Sequence, residues 1–592
     1  MTDLARLVAP VSTRFAALDA RGTVFALVSD ADTETAQLWL QRAGAPPVRA
    51  TAHPDPVAVA AFRPGDGDGG AVVYAVDRDG DENHQLHLLT LADGRTTPLT
   101  AAPAAFHRFG AFRPDGGALA YTTNAENGVD VDVDVHPLDG GAPRRVLRGH
   151  GLRRVEAWSP CGRYLAVVAE PAALREELQL LDLATGGLTT LLGGGRGCVV
   201  RAVRFLADGG LALVTDAGRD LPGAARLAPG DGRLEWWLAP DVEVDALAVT
   251  NDGHRLAAAL NHQGFTTVEV QGVGGAAVRF VLDGVAADLA FDAAGEALFA
   301  TVETPRHPPR PWRFDLAAES AAPMAGFAAP EPTGPAPAVV HVASHDGRRV
   351  PALLYRPEPA ALPTPAPAVM ALHGGPESQW RPGWHGEVAA MAARGWTVLA
   401  PNIRGSTGYG RHYAGLDDGP LRADAIDDVA ALGRWLAGRE DVDAARLALL
   451  GQSYGGFMTL AGLARAPALW RCGVAFYGMA ELSTFLRDTA AYRRAHRSAE
   501  YGDRVADAAL LAALSPLAHQ AAIRAPVLLA HGLGDPRVPP AESRRMAAAL
   551  AARAHPVEHV EIAAEGHGFT KRTNRTDVWR RALTFLEARL AR

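Results

Sequence analysis

The segment Leu447-Ala-Leu-Leu-Gly-Gln-Ser-Tyr-Gly-Gly-Phe457 carries the strongest structural signal in this chain of 592 residues. Its apolar start, Leu447–Leu450, predicts a short buried strand, and the apolar spacing from Phe457 onward predicts a helix. Between them lies a G-x-S-x-G turn with Ser453 at its centre. A strand, a tight turn and a helix in this order form a nucleophile elbow, which lifts a serine hydroxyl into an exposed position. Ser453 is therefore a candidate nucleophile.

Strands alternate with helices on both sides of this segment. The predicted strands are Ala368–Leu372, Thr397–Pro401, Val527–Ala530 and Val557–Ile562, and the predicted helices are Asp424–Gly438 and Asp577–Leu590. Such alternation is typical of a doubly wound, mostly parallel sheet. The C-terminal half is therefore predicted to have the α/β-hydrolase fold.

A serine nucleophile needs a base, and the base needs an orienting carboxylate. In α/β-hydrolases these residues follow the serine in the order acid, then histidine, on loops after later strands. Asp535 and His567 satisfy this order, each in a Gly-rich loop just after a predicted strand. The other candidates lack that combination: Asp503 and Asp507 for the acid, and His531, His555 and His559 for the base.

A reacting carbonyl oxygen also needs hydrogen-bond donors where its charge develops. The backbone N–H of Tyr454, directly after the candidate nucleophile, is one predicted donor. The second is expected from the loop His373-Gly-Gly-Pro376, which follows the predicted strand Ala368–Leu372.

The N-terminal half repeats one unit seven times, at intervals of roughly 42–50 residues. Each unit has an apolar anchor, a Pro/Asp/Gly turn and an apolar strand; the anchors are Leu18, Phe62, Phe112, Trp158, Phe205, Val249 and Phe291. This period is that of a β-propeller blade, and it accounts for much of the content of 62 glycines and 42 prolines. Seven blades are predicted rather than six or eight. A pair of β-sandwiches is the alternative, but it would not explain the regular spacing.

An Ala/Pro-rich segment at about 317–337 reads as a linker. We therefore predict a seven-bladed β-propeller domain over residues 1–325, which gates access, and an α/β-hydrolase catalytic domain over residues 326–592.

Composition excludes several classes of protein. The net charge of -8 gives no electrostatic footprint for nucleic acid. Three scattered cysteines argue against a disulfide scaffold or a zinc site, and no secretory signal or transmembrane segment is recognised. The acidic runs Asp77–Asp81 and Asp130–Asp134 lack the glycine and glutamate of a calcium loop. We expect a cytoplasmic protein with no metal, cofactor, nucleic-acid or membrane partner, and homo-oligomer formation is left open.

The motifs together resemble the prolyl oligopeptidase family of serine peptidases, in particular its acylaminoacyl-peptidase branch. The resemblance rests on four motifs: His373-Gly-Gly-Pro376, Asn402-Ile-Arg-Gly-Ser-Thr-Gly-Tyr-Gly410, Gly451-Gln-Ser-Tyr-Gly-Gly-Phe457 and Asp535-Pro-Arg-Val-Pro539. It implies that Ser453, Asp535 and His567 form the catalytic triad. It also implies that the backbone N–H groups of Gly375 and Tyr454 form the oxyanion hole.

The resemblance extends to substrate binding. Arg537 matches the family arginine that holds a substrate carbonyl. Glu82 resembles a propeller glutamate near the active site, where it would sense a free amine or form only a loop salt bridge. Phe476, Tyr477 and Phe485 are placed to line a specificity pocket, although core packing explains these apolar residues equally well.

The resulting prediction is a serine peptidase that hydrolyses short peptides through an acyl-enzyme. The alternatives are an aminopeptidase or dipeptidyl peptidase acting on free N-termini, a carboxylesterase, and a propeller binding platform with an inactive hydrolase. The resemblance to dipeptidyl peptidases is the weaker one, because Glu176-Glu177 lacks the preceding aromatic residues of their paired glutamates.

Overall fold

The computed structural model describes residues 2–65, 70–195, 197–230, 232–250, 252–272, 276–326, 333–357 and 365–591. These residues form seven four-stranded sheets and one eight-stranded sheet. The seven small sheets are the blades of a β-propeller, and the large sheet has the order of an α/β-hydrolase. The predicted fold class is confirmed, including the number of blades.

Each blade is built from four consecutive antiparallel strands. Blades one to three are β1 (Thr13–Leu18), β2 (Val24–Ser29), β3 (Gln37–Arg42), β4 (Val48–Arg49); β5 (Val57–Phe62), β6 (Ala71–Val76), β7 (Gln85–Thr90), β8 (Thr96–Pro98); and β9 (His107–Phe112), β10 (Ala118–Thr123), β11 (Asp132–Pro137), β12 (Arg144–Leu147). Blades four and five are β13 (Leu152–Trp158), β14 (Tyr164–Ala172), β15 (Arg175–Asp182), β16 (Leu188–Leu192); and β17 (Val200–Phe205), β18 (Leu211–Thr215), β19 (Gly223–Leu227), β20 (Leu234–Leu238). Blades six and seven are β21 (Glu243–Val249), β22 (Arg255–His262), β23 (Phe265–Gly272), β24 (Val278–Val281); and β25 (Val285–Phe291), β26 (Ala297–Thr304), β27 (His307–Asp315), β28 (Ser320–Pro323).

All seven anchors of the sequence repeat occupy one structural position, the last residue of the first strand of a blade. The turn after each anchor leads into the second strand, which has more buried residues than any other strand of its blade in every blade except the sixth. In β10, for example, every residue is buried, because this strand packs against the neighbouring blades on both faces. The repeat is therefore visible in the sequence because each blade needs the same turn and the same apolar second strand.

The ring closes between blades one and seven by side-chain packing, since in the described ranges each of these two sheets consists of its own four strands. The backbone N–H of Phe15 donates to Thr301 Oγ1 at 3.0 Å. The ring of Phe25 lies edge-on to Phe299, with 5.0 Å between the ring centroids. Aromatic and hydroxyl contacts thus join the first and last blades.

The eight-stranded sheet has the order β29-β30-β32-β31-β33-β34-β35-β36, with parallel pairing from β32 to β36. Its strands are β29 (Ala338–Ala343), β30 (Arg349–Tyr355), β31 (Ala366–Leu372), β32 (Thr397–Pro401), β33 (Val442–Gln452), β34 (Cys472–Phe476), β35 (Val527–Gly532) and β36 (Val557–Ile562). The helices are α1 (Thr2–Val8), α2 (Gly386–Ala392), α3 (Arg411–Ala414), α4 (Arg422–Ala437), α5 (Tyr454–Arg465), α6 (Leu482–Asp488), α7 (Arg494–Tyr501), α8 (Ala508–Leu514), α9 (Ala541–Ala552) and α10 (Arg572–Leu590), with 3₁₀ turns at Gly415–Asp417, Gly419–Leu421, Ala491–Arg493 and Pro516–Ala522. None of the helices in the described ranges is long and apolar enough to cross a membrane.

Two hydrophobic cores cover the two faces of this sheet. One contains residues of α4, α5 and α9, and the other contains residues of α1, α2 and α10. The helix α1 precedes the first blade, yet it packs on the hydrolase sheet: Trp384 Nε1 donates to the carbonyl of Leu7 at 3.2 Å. The predicted division at residues 325 and 326 stays a prediction.

The acidic run Asp130–Asp134 forms ion pairs. Asp132 and Asp134 begin the third strand of their blade and both contact Arg145, on the strand beside it. Both carboxylates are therefore paired within their own blade.

Candidate active site

Ser453 lies at the junction of β33 and α5 in a strained backbone conformation, with φ 57° and ψ -118°. A non-glycine residue seldom adopts a positive φ, and such strain persists only where the surrounding structure enforces it. Here the enforcement is close packing of the turn. A Cβ atom on Gly455 would lie 2.1 Å from the carbonyl oxygen of Leu372, so only glycine fits there.

The structure brings the three predicted triad residues together. His567 Nε2 lies 2.9 Å from Ser453 Oγ, and His567 Nδ1 lies 2.7 Å from Asp535 Oδ2. Asp535 follows β35 and His567 follows β36, so all three side chains lie at the carboxyl ends of parallel strands, where open α/β sheets place their sites.

Asp535 is held as a charged carboxylate. Its side chain is fully buried, and burial alone would raise its pKa. The neighbouring His567 and a hydrogen bond from His531 outweigh that cost and lower the pKa of Asp535 below its usual value. The backbone N–H groups of Arg537 and Val538 donate to Oδ1 at 2.8 and 3.0 Å. The carboxylate is therefore fixed for orienting the imidazole.

His531, one of the rival bases, has a different place. Its ring is fully buried, with Nδ1 2.7 Å from Ser543 Oγ and Nε2 2.8 Å from the carbonyl oxygen of Val538. Its Nε2 also lies 3.3 Å from Asp535 Oδ2. His531 therefore contacts the acid of the predicted triad and helps to hold it in place. The sequence did not predict this role, because the position of a histidine at the end of a strand does not show which side chain it contacts.

The loop that carries His567 is anchored by Glu565, which the sequence analysis also missed. The buried carboxylate of Glu565 accepts hydrogen bonds from Thr570 N, Lys571 N and Asn574 Nδ2 at 2.9–3.0 Å. The only signal in the sequence is an acid two residues before the histidine.

A propeller loop also packs on this part of the site. A Cβ atom on Gly80, between β6 and β7, would lie 2.3 Å from the backbone nitrogen of Gly566. This blade loop and the loop that carries His567 are therefore in direct backbone contact.

The segments that carry the two predicted oxyanion donors lie beside the nucleophile. Tyr454 is the first residue of α5, where a backbone N–H has no acceptor within the helix. The loop of Gly375 passes next to the serine, since a Cβ on Gly374 would lie 4.0 Å from Ser453 Oγ. His373 stabilises this loop: burial lowers its pKa to about 4, and its neutral ring contacts the carbonyl oxygen of Gly374 at 2.7 Å and Ser406 Oγ at 2.8 Å.

The predicted substrate residues fall into two groups. Arg537 and Glu82 face each other across the domain interface, and Arg537 Nε donates to Glu82 Oε1. The Arg537 side chain is 46% exposed and that of Glu82 is 19% exposed, so both are accessible to solvent.

The three aromatic residues are more buried. Phe476 is 0% exposed and packs edge-on against Phe569 and Trp579, which is the core role that the sequence left open. Phe485 is 4% exposed and packs on Tyr501. Tyr477 is the one nearest the chemistry, because its ring centroid lies 4.8 Å from that of His567. Its hydroxyl donates to Gln452, within the elbow.

Among the described residues, one group of three potential metal ligands lies together: His345, Asp424 and Asp427. Both oxygens of Asp427 accept hydrogen bonds from Arg465, at 2.6 and 2.8 Å. The guanidinium already supplies the positive charge that a metal ion would bring. The predicted lack of a metal or cofactor stays a prediction.

A propeller joined to a sheet with a strained serine, a histidine and an aspartate at its strand ends defines the class: a propeller-bearing α/β-hydrolase. Within that class, residues 383–592 match the family model described as the prolyl oligopeptidase family. The resemblance drawn from the sequence motifs is confirmed over this part of the chain.

Curated relatives match the same half. The chain is 33% identical to dipeptidyl aminopeptidase BIII of Pseudoxanthomonas mexicana over 246 residues, which are 40% of this chain and 36% of that protein. It is 27% identical to the acylamino-acid-releasing enzyme of Sus scrofa over 258 residues, 43% of this chain and 35% of that enzyme. The matched segments thus span little more than a third of the length of these relatives.

A solved structure matches both halves. The crystal structure of a puromycin hydrolase superposes with a TM-score of 0.87, covering 99% of this chain and 96% of that chain at 24% identity. This likeness shows a shared fold over nearly the whole chain.

Proposed function

We propose that the protein is a serine peptidase that hydrolyses short peptides through an acyl-enzyme. The observation that carries the proposal is the continuous hydrogen-bonded series from Ser453 through His567 to Asp535, with distances of 2.9 and 2.7 Å, at a strained elbow. The match of residues 383–592 to the prolyl oligopeptidase family model supports the same reaction.

The geometry supports each proton transfer of this reaction. His567 Nε2 accepts the proton of Ser453 Oγ while Oγ bonds to the substrate carbonyl carbon. Asp535 holds the Nδ1–H and stabilises the imidazolium. The oxyanion accepts hydrogen bonds from the backbone N–H groups of Tyr454 and Gly375. His567 then protonates the leaving amine, and water releases the acyl group by the same steps in reverse.

Arg537 is the proposed anchor for the substrate backbone. Its guanidinium pairs with Glu82 and is still nearly half exposed, which leaves donors free for a carbonyl oxygen ahead of the scissile bond. Glu82 stays the proposed partner of a free substrate amine, in competition with its role as the ion-pair partner of Arg537.

The preference at the substrate N-terminus has two candidate forms. An acylated N-terminus leaves the pair of Glu82 and Arg537 intact, whereas a free amine competes for Glu82 and favours an aminopeptidase or dipeptidyl peptidase. One curated relative is named a dipeptidyl aminopeptidase and the other an acylamino-acid-releasing enzyme, so both preferences stay candidates. A carboxylesterase is the further alternative, since the same triad hydrolyses esters.

The test replaces the nucleophile. Ser453→Ala is expected to lower kcat on peptide p-nitroanilides by a factor of about 10⁴ or more and to abolish labelling by a fluorophosphonate. Ser320→Ala, on the outer strand of blade seven, is the matched control and is expected to keep full activity. Normal turnover by Ser453→Ala would reject the proposal.

A substrate panel separates the alternatives. Blocked and unblocked peptides of two to five residues are compared with matched esters. Faster turnover of blocked peptides identifies the acylaminoacyl-peptidase form, and loss of turnover on blocking identifies the aminopeptidase form. Ester turnover without amide turnover identifies the esterase.

We also propose that the propeller limits substrate size and that the protein acts in the cytoplasm. The second point rests on the sequence pattern of three cysteines, which are free in the structure. Cell fractionation tests the location, and sedimentation of the purified protein tests the oligomeric state, which the sequence left open.

A further inference from the structure

A line of buried charged side chains lies behind the elbow. Its members, in spatial order, are Asp417, Arg422, Glu500, Arg497 and Glu377, and we call them the buried ionic chain. The first three side chains are at most 2% exposed and the last two are 16% and 15% exposed. The proposed reaction uses none of these five groups.

One end of the buried ionic chain holds Tyr454. The Tyr454 hydroxyl donates to Asp417 Oδ2 at 2.8 Å. Arg422 Nη2 donates to the same carboxylate oxygen at 3.2 Å, and its guanidinium lies 5.5 Å from the centre of the Tyr454 ring. The residue whose N–H is the first proposed oxyanion donor is therefore fixed through its side chain.

The other end holds the loop of the second donor. Arg422 Nη2 also donates to Glu500 Oε1 at 3.2 Å, and the other oxygen of Glu500 accepts from Arg497. Arg497 Nη1 in turn lies 3.4 Å from Glu377 Oε2. Glu377 is two residues beyond Gly375, so the line of contacts ends in the loop that supplies the second N–H.

Stability alone is a weak reason for such a construction. Three carboxylates face two guanidinium groups with little solvent, and buried ion pairs often stabilise a fold no better than apolar side chains of similar volume. Burial raises the pKa of Asp417 even though the Arg422 charge acts to lower it, which reflects the cost of desolvation. Buried ionic groups do, however, specify one geometry, because each ion accepts only a few partner positions.

We propose that the buried ionic chain is a positioning device that fixes the spacing between the Tyr454 and Gly375 N–H groups. The inference rests on the proposed function, because the two groups matter as a pair only if they bind one oxyanion. Its members are positioning residues: they act on the reaction through the backbone of the two donor segments.

The test is a double-mutant cycle on the two ends. Arg422→Met would leave carboxylates uncompensated in the core and can unfold the domain, so the variants are milder: Tyr454→Phe and Glu377→Gln. Each retains its backbone N–H and is expected to lower kcat about tenfold or more, with KM within about twofold, because a misplaced oxyanion donor costs up to about 10²–10³ in kcat. The kcat of the double variant is expected to be no more than about twofold below that of the less active single variant, because the two substitutions disrupt the same buried ionic chain.

Inhibitor affinity separates positioning from general loosening. A peptide aldehyde, which forms a hemiacetal oxyanion with the serine, is expected to bind more weakly by the same factor as the loss in kcat. The product peptide, which forms no oxyanion, is expected to keep its affinity. Tyr121→Phe is the matched control, since it removes another buried tyrosine-to-aspartate hydrogen bond, to Asp134, within the propeller.

Three outcomes overturn the inference: unchanged kcat in both single variants, kcat losses that multiply in the double variant, or equal weakening of aldehyde and product. Failure of the proposed function is distinct from these three outcomes. It appears as an unmodified protein that does not hydrolyse peptides, or as peptide turnover that persists in Ser453→Ala.

Discussion

The Asp418 carboxyl group has a pKa that its partly buried position changes. It follows Asp417 at the start of a turn that leads into α4, and it lines a cleft between the propeller and the hydrolase part. Burial raises the pKa of Asp418 to about 6, and the negative charge of Asp417 adds to the shift. Between about pH 4 and 6 the folded state therefore holds a proton that the unfolded chain releases. The contribution of Asp418 to the free energy of unfolding therefore falls as pH rises through this range.

Asp418→Asn is therefore expected to stabilise the protein at pH 7 and to have no such effect at pH 4. After allowance for partial exposure, the difference between the two pH values is about 1 kcal/mol. Urea unfolding at both pH values measures it. The exposed Asp241→Asn is the control for removing one carboxylate from the surface, and it is measured at both pH values. If Asp418→Asn stabilised the protein more at pH 4 than at pH 7, the raised pKa of Asp418 would be contradicted.

At the scale of the element, the loop between β6 and β7 forms part of the site. Its Gly80 has φ +77°, and its close approach to Gly566 leaves no room for a side chain. The same loop supplies Glu82 to Arg537. A propeller loop therefore contacts the loops that carry both the acid and the histidine.

Gly80→Ala is expected to lower kcat/KM about tenfold or more, because a displacement of about 1 Å at the histidine loop can cost up to about 10²-fold. Gly94→Ala is a close control: Gly94 has φ +69°, but a Cβ there meets nothing within 4 Å. Both variants carry the same cost of about 1–2 kcal/mol for left-handed backbone, so a difference in activity isolates the steric contact. Equal activity of the two variants would show that the loop contact has no part in catalysis.

At the scale of the whole molecule, charged groups join the propeller to the hydrolase part. Arg381 donates to Asp245 at 2.6 Å, to the carbonyl oxygen of Gly264 at 2.8 Å and to Thr266 Oγ1 at 3.0 Å. Lys571, the single lysine of the chain, pairs with Asp79 at 3.2 Å. Polar contacts of this kind allow the two parts to separate more readily than an apolar interface would.

Arg381→Met is expected to weaken the docking by about 1–3 kcal/mol, because it removes a partly buried charge from three acceptors at once. If the propeller limits substrate size, the ratio of long-peptide to pentapeptide turnover is expected to rise. Arg581→Met is the control, since its pair with Asp577 lies on the surface of α10 and contributes little. If Arg381→Met lowers Tm but leaves the dependence of turnover on peptide length unchanged, the contacts of Arg381 stabilise the docking of the two parts without limiting substrate size.

Local patterns sufficed for much of the architecture. Every anchor of the repeat ends the first strand of a blade, and two of the predicted strands, Thr397–Pro401 and Val557–Ile562, have the predicted bounds. The strand Cys472–Phe476 was not predicted, and the sequence left open whether its last residue lines a specificity pocket or packs in the core, where the structure places it. Five short apolar residues give no periodicity that distinguishes a buried strand from a loop lining.

What the sequence determined by itself depends on near neighbours: the blade period, the elbow around Ser453 and the order of acid and histidine. Each of these features is recognised from a short stretch of sequence, because a tight turn or a strand end is specified by residues that are close together in the chain. Only the tertiary structure decided which distant groups meet. Arg537 contacts Glu82 across 455 residues, and Tyr454 contacts Asp417 across 37. Such pairs have no local signature, because each partner is an ordinary polar residue until the packing of sheet, helices and blades removes the water between them.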